Sequence, residues 1–251
     1  MDAPALTLEG LTKRYGGQFA VGDLSLEVPR GSFYGFVGPN GAGKTTTLSM
    51  ATGLLRPDAG RARVSGIDVW QDPIAAKRAM GVLADGVLLF DKLTGEQLVT
   101  YAGLLRGMTR ATVAERTADL LRVLRLEEDA GKPVADYSAG MTKKIALASA
   151  MVHAPELLVL DEPFEAVDPV SARTIGGLLG SFVASGGTVI LSSHVMDLVQ
   201  RMCSHVGIIA EGRLLAAGTV EDVRAGQDLE SRFVDLVGVE GGGEELTWLR
   251  L

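Results

Sequence analysis

Residues Gly38-Pro39-Asn40-Gly41-Ala42-Gly43-Lys44-Thr45 constrain this chain more than any other stretch. They fit the pattern G-x-x-x-x-G-K-[ST] of a phosphate-binding loop. Residues 32–37 ahead of them read as a strand and residues 45–51 after them as a helix. That strand–loop–helix setting is what such a loop requires. The glycines let successive backbone N–H groups converge on one anion. The helix that begins near Gly43 adds the positive end of its dipole. Lys44 brings a mobile charge to the outer phosphates of a nucleotide, and Thr45 brings a hydroxyl to Mg²⁺.

The 251 residues suffice for one or two domains with a substantial core. No apolar run approaches the roughly 20 residues a membrane span needs. The first residues, Met1-Asp2-Ala3-Pro4, lack the basic-then-apolar pattern of a signal peptide. One cysteine, Cys203, excludes an internal disulfide and is expected as a reduced, buried residue on a helix. The net charge of −7 argues against a nucleic-acid surface. His153, His194 and His205 lack the spacing of a zinc site. Together these features point to the cytoplasm.

The coarse pattern is α/β. Residues 6–15 and 19–28 read as strands, with a turn at Pro29-Arg30-Gly31. A short strand over residues 61–64 follows the turn 56–60. From about Thr94 to His153 helical periodicity takes over, with Leu98, Tyr101, Leu104 and Leu105 on one face and Leu120, Leu121, Leu124 and Leu126 on another. Leu157-Leu158-Val159-Leu160 is a continuous apolar run, as in a parallel strand covered on both faces. Residues 188–192 repeat that pattern. Residues 206–210 and 213–217 read as a hairpin about Glu211-Gly212. The remainder reads as a helix and a tail with Gly241-Gly242-Gly243.

Asp161-Glu162-Pro163 closes the buried run. Ligands of a parallel α/β sheet collect at the carboxyl ends of its strands, which brings Asp161 toward the phosphate loop. There Asp161 can hold the Mg²⁺ shell, and Glu162 can polarise a water for attack on the γ-phosphate. His194 closes the next strand at the same edge, where it can donate to the γ-phosphate.

The order of these parts resembles the ATP-binding subunit of an ATP-binding cassette (ABC) transporter, over nearly the whole chain. The discriminating element is Tyr137-Ser138-Ala139-Gly140-Met141, about 20 residues before Asp161, which resembles the family signature L-S-G-G-Q. The resemblance implies a P-loop NTPase core of mainly parallel sheet, with an N-terminal antiparallel β subdomain and an inserted α-helical subdomain. The implied core covers 1–85 and 156–220, the helical subdomain 86–155, and a C-terminal helix and tail 221–251.

It further implies ATP and Mg²⁺ as cofactors, with catalysis by Glu162, His194 and Lys44. ATP would be held by Tyr15 stacked on adenine, by the loop from Gly38 to Thr46, and by Ser138, Ala139, Gly140 and Asp168 of another copy. Thr45, Asp85 and Asp161 would face the metal. The physical logic of the signature is a serine hydroxyl, free N–H groups and a helix dipole forming a second anion site. The implied partners are a separate transmembrane permease on the inner face of the cell membrane and a second ATPase subunit, identical or related.

Four positions depart from the family pattern. Asp85 stands where the lid loop usually carries Gln, and Tyr137, Ala139 and Met141 replace signature residues. Tyr-Ser-x-Gly-Met resembles the variant of bacterial exporter ATPases. The short stretch after Thr219 also points to an exporter, because some importer ATPases carry a regulatory domain there. The apolar segment Val87-Leu88-Leu89-Phe90 either lines the groove for a permease helix or packs beneath the helical subdomain. Two other functions fit less well: a soluble ABC-type ATPase, and an ATP sensor with weak hydrolysis. The spacing from Lys44 to Asp161 is too short for the coiled coils of chromosome-type members, and Glu162 argues against a pure sensor.

Overall fold

The computed structural model describes residues 3–86 and 88–238. Strands β1 (Leu6–Tyr15) and β2 (Gln18–Val28) open the chain, followed by β3 (Phe33–Val37) and helix α1 (Lys44–Ala51). Next come β4 (Ala59–Val64), β5 (Ile67–Asp68), α2 (Pro73–Ala79) and β6 (Met80–Leu83). Helices α3 (Gly95–Leu105), α4 (Arg110–Val123) and α5 (Ala139–Met151) follow. The chain then alternates through β7 (Leu157–Leu160), α6 (Pro169–Ala184), β8 (Thr188–Ser193) and α7 (Met196–Met202). It ends on β9 (His205–Ala210), β10 (Arg213–Thr219), α8 (Val220–Arg224) and α9 (Leu229–Val237).

The described residues form two sheets. One is antiparallel, in the order β2-β1-β4-β5. The other runs β10-β9-β3-β8-β7-β6 and is parallel except for the β10 edge. The fold is therefore the expected α/β class with an antiparallel β layer and added helices.

Side-chain alternation explains how the central strands serve two cores at once. Phe33 and Val37 of β3 join the cluster beneath the helical layer, whereas Tyr34 and Phe36 join the cluster shared with α1 and the antiparallel sheet. Leu158 and Leu160 of β7 face the first cluster, Leu157 and Val159 the second. That double burial is why both strands read as unbroken apolar runs.

Strand β6 and helix α2 were not anticipated. Residues 73–83 read poorly as a helix and strand, since α2 passes straight into β6 and Gly81 interrupts the apolar pattern. The packing accounts for that glycine: a Cβ there would lie 2.1 Å from the carbonyl oxygen of Ala150 on α5. Helix ends follow local chemistry. Thr94 and Gln97 form a reciprocal capping box on α3, and Thr109 and Asp168 cap α4 and α6.

Two expectations need correction. Leu98 of α3 is buried, but Tyr101 and Leu105 of the same supposed face are 41% and 68% exposed. Val99 and Gly103 instead join Leu98 among the buried residues of α3. Cys203 is not on a helix, because α7 ends at Met202 and Cys203 is extended. It is buried, and desolvation pushes its thiol up to about 12. Gly241-Gly242-Gly243 lie outside the described residues, as does Val87.

Because β3, β6, β7 and β8 are parallel, their carboxyl ends meet at one edge. The phosphate loop leaves β3 there, the Asp85 turn leaves β6, Asp161-Glu162 leaves β7 and His194 leaves β8.

Candidate functional site

The phosphate loop is shaped by its glycines. Gly41 and Gly43 have φ of 80° and 101°, in the left-handed region. A Cβ at Gly43 would lie 2.5 Å from the Ala20 carbonyl oxygen, so no other residue fits this turn. Thr47 N–H is the fourth of α1 and bonds to Gly43 O at 2.9 Å. The N–H groups of Lys44, Thr45 and Thr46 therefore have no acceptor within the helix. They face a cleft of about 360 Å³ lined by residues 40–46 together with Ala20, Asp85, Glu162 and Glu165.

Lys44 is 6% exposed. Its ammonium donates to the carbonyl oxygens of Gly38 (2.8 Å) and Pro39 (3.3 Å) and lies 3.5 Å from Glu162 Oε1. Gly38 and Pro39 thus form the base of the loop, where they hold the lysine, and do not line the cleft. The donor set suits a polyanion: unsatisfied N–H groups at a helix start, one ammonium and one hydroxyl.

Asp161 is buried at 4% exposure and is not among the residues lining the cleft. Ser192 Oγ, on the neighbouring strand, donates to Asp161 Oδ1 and accepts from the Glu162 N–H at 2.8 Å. Glu162 has φ 46°, which costs a non-glycine residue about 1–2 kcal/mol. Its Oε2 lies 3.1 Å from Nδ1 of the half-exposed His194. One carboxylate is thus held between an ammonium and an imidazole, at the mouth of the cleft. Such a carboxylate can accept a proton from a water. Among the described residues no cluster of three or more His, Cys, Asp or Glu forms a metal cage. Mg²⁺ bound to phosphates takes only one or two protein ligands, so the Thr45 hydroxyl and the Asp85 carboxylate, both in the cleft lining, suit it, whereas Asp161 is buried outside that lining.

Ser192 was not singled out from the sequence, and its role emerges only from the β7–β8 register. Ser192→Ala leaves the Glu162 N–H and an Asp161 oxygen buried without their partner. It is expected to cost about 1–3 kcal/mol of stability, read as a lower urea midpoint. An unchanged midpoint contradicts the bonding described. Glu165, also overlooked, lines the cleft and donates its N–H to Glu162 O at 3.2 Å.

Asp85 lies in the turn after β6, 46% exposed at its side chain, and lines the cleft. Ser138 caps α5, with its Oγ accepting from Met141 N–H at 3.3 Å. Gly140 packs on the start of α6: a Cβ there would lie 2.8 Å from Asp168 Oδ2. Asp168 accepts from Val170 and Ser171 N–H, both at 3.0 Å, and hydrogen bonding to Ser171 lowers its pKa. Ser138, Ala139, Gly140 and Asp168 form one neighbourhood. None of them is among the residues lining the phosphate-loop cleft. Tyr15 ends β1, 54% exposed, with the Lys13 ammonium 5.9 Å from its ring centroid. It too stands outside the cleft lining.

The departures at Tyr137 and Met141 turn inward. Tyr137 is buried and donates its hydroxyl to Asp129 O at 2.8 Å, and Met141 packs against the core. His153 is a structural residue: Nε2 meets Met80 O at 3.1 Å, and burial lowers its pKa to about 4.

Residues 21–165 match the family model described as ABC transporter. The chain is 35% identical to the linearmycin resistance ATP-binding protein LnrL of Bacillus subtilis, over 87% of this chain and 70% of that one. It is 38% identical to the Nod factor export ATP-binding protein I of Ralstonia nicotianae, over 86% of this chain and 68% of that one. A solved ATP-binding subunit of an ABC transporter superposes with a TM-score of 0.87 at 29% identity, covering 93% of this chain and 99% of that one.

Proposed function

This chain belongs to the ABC transporter family, and from that premise we propose that it is the ATPase subunit driving a separate membrane permease of the exporter kind. ATP hydrolysis is the activity of the family's ATPase domain, and ATP-binding subunits of this kind pair with membrane permeases and form dimers. The observation that carries the proposal is the placement of Glu162 between Lys44 and His194 at a phosphate-loop cleft. The export reading is supported by relatives named for resistance and export.

The proposed roles follow the geometry. Residues 40–46 of the loop bind the triphosphate on a base formed by Gly38 and Pro39, Lys44 neutralises its outer charge, and Thr45, Asp85 and Asp161 would hold Mg²⁺. The metal supplies charge neutralisation across the phosphates. Glu162 accepts the proton of the attacking water, and His194 orients Glu162 and reaches the γ-phosphate side. Tyr15 stacks on the base. The signature residues are separate from their own chain's cleft, so Ser138, Ala139, Gly140 and Asp168 act on the nucleotide of a second copy or a related subunit. The division into a core of 1–85 and 156–220, a helical part 86–155 and a C-terminal part 221–251 belongs to the same proposal.

Among the described residues no helix is long and apolar enough to cross a membrane. Attachment to the inner face of the cell membrane would come through the permease. Leu88 is 96% exposed and Phe90 59%, and the Phe90 ring meets Tyr101 edge-on at 5.4 Å. Leu89 alone of this trio packs against the core. An exposed apolar patch on this segment suits a permease helix. Phe90→Asp is expected to abolish co-purification with the polytopic membrane subunit while circular dichroism stays native. Undiminished recovery of the complex contradicts the docking role. Recovery of the unaltered chain apart from any membrane protein, with its partner co-expressed, contradicts the transport reading.

A further inference from the structure

We propose that Lys143 is a positioning residue for Glu162, tying the signature helix α5 to the backbone of the proton acceptor and to the Asp85 turn. This rests on the ATPase reading of the cleft. Lys143 Nζ donates to the Glu162 carbonyl oxygen at 3.0 Å and lies 3.8 Å from Asp85 Oδ1. Its side chain is 21% exposed, so the contact is partly shielded from water.

Glu162 sits at φ 46°, a conformation that persists only when the surroundings over-determine it. Each polar group of the residue is engaged. Its N–H meets Ser192, its carboxylate meets Lys44 and His194, and its carbonyl meets Lys143 and the Glu165 N–H. Among the described residues, Lys143 is the contact from helices α3–α5; the others come from the start of α1, the strand ends and their loops. A charge-assisted bond to a carbonyl is stronger than a neutral one. Lys143 therefore holds the carbonyl side of a strained residue, and the other end of the tether is the helix that carries Ser138 and Gly140.

The Asp85 contact adds a second function. Asp85 offers a carboxylate where Gln would offer an amide, and Lys143 lies 3.8 Å from it across the gap between α5 and the turn after β6. The ion pair alone is weak, since Asp85 is half exposed. The bond to Glu162 is the stronger half of the tether.

The test uses the full-length chain in complex with its permease and, separately, nucleotide-free. Lys143→Met is expected to lower kcat about tenfold with KM for ATP within twofold, and Lys143→Arg to restore most of kcat. In the nucleotide-free protein, amide exchange across residues 162–167 is expected to quicken about tenfold in Lys143→Met and to match the unaltered protein in Lys143→Arg. A normal kcat with unchanged exchange in Lys143→Met overturns the role. So does a loss confined to KM. Absence of hydrolysis in the unaltered complex overturns the ATPase reading instead, and the exchange measurement then still decides Lys143.

Discussion

Replacing Glu162 with Gln is expected to lower ATP hydrolysis by about 100-fold or more while MgATP still binds. The amide keeps the size of the side chain and can still accept from His194. It cannot take a proton from water. Its loss of charge also removes the partner that Lys44 has at 3.5 Å. The lysine keeps its two carbonyl acceptors on the loop, so the nucleotide site survives. Phosphate release measured in single turnover, alongside titration with a fluorescent ATP analogue, separates the two effects. Equal rates in the variant and the unaltered protein remove Glu162 from its role. Loss of binding along with rate assigns it to nucleotide retention instead.

Lys44→Ala is expected to act in the opposite order, weakening ATP binding about 30- to 140-fold. The estimate is one charged hydrogen bond of roughly 2–3 kcal/mol, at 1.4 kcal/mol per tenfold. The ammonium is nearly buried and held over the loop by Gly38 and Pro39. Helix α1 and the loop N–H groups remain, which keeps residual affinity above zero. Isothermal titration with MgATP reads the change directly. Affinity within threefold of the unaltered chain contradicts the assigned role of the lysine.

The parts of the fold that were legible share one property: their local pattern and their tertiary setting agree. Residues 157–160 are apolar on both sides because both faces of β7 are covered, and the run itself says so. The phosphate loop carries its glycines for local backbone reasons that the spacing displays. Strand β6 was opaque because Gly81 answers to a carbonyl on α5, a contact 69 residues away in sequence (150 − 81). Tyr101 and Leu105 have core-like spacing, yet both are exposed, Tyr101 against the Phe90 ring. Periodicity reports an apolar face without saying what covers it.

The site divides along the same line. Lys44, Asp161, Glu162 and His194 each close a strand or open a helix, so parallel topology brings them to one edge. Ser192 and Lys143 reach Glu162 only through tertiary placement, from a neighbouring strand and from α5. Nothing in their local sequence marks them. The separation of Ser138 and Gly140 from the cleft is already an expectation from the resemblance; what packing adds is the close approach of Gly140 to Asp168 at the start of α6. Under the proposed function, that separation is why a second copy would be needed to complete the nucleotide pocket.

The most direct measurement is sedimentation of the Glu162→Gln chain at high concentration, alone and with its permease in detergent. With MgATP the account predicts a dimer that dissociates when ATP is replaced by ADP and that fails to form in a Ser138→Arg background. A strictly monomeric cassette at saturating MgATP, in both settings, contradicts it.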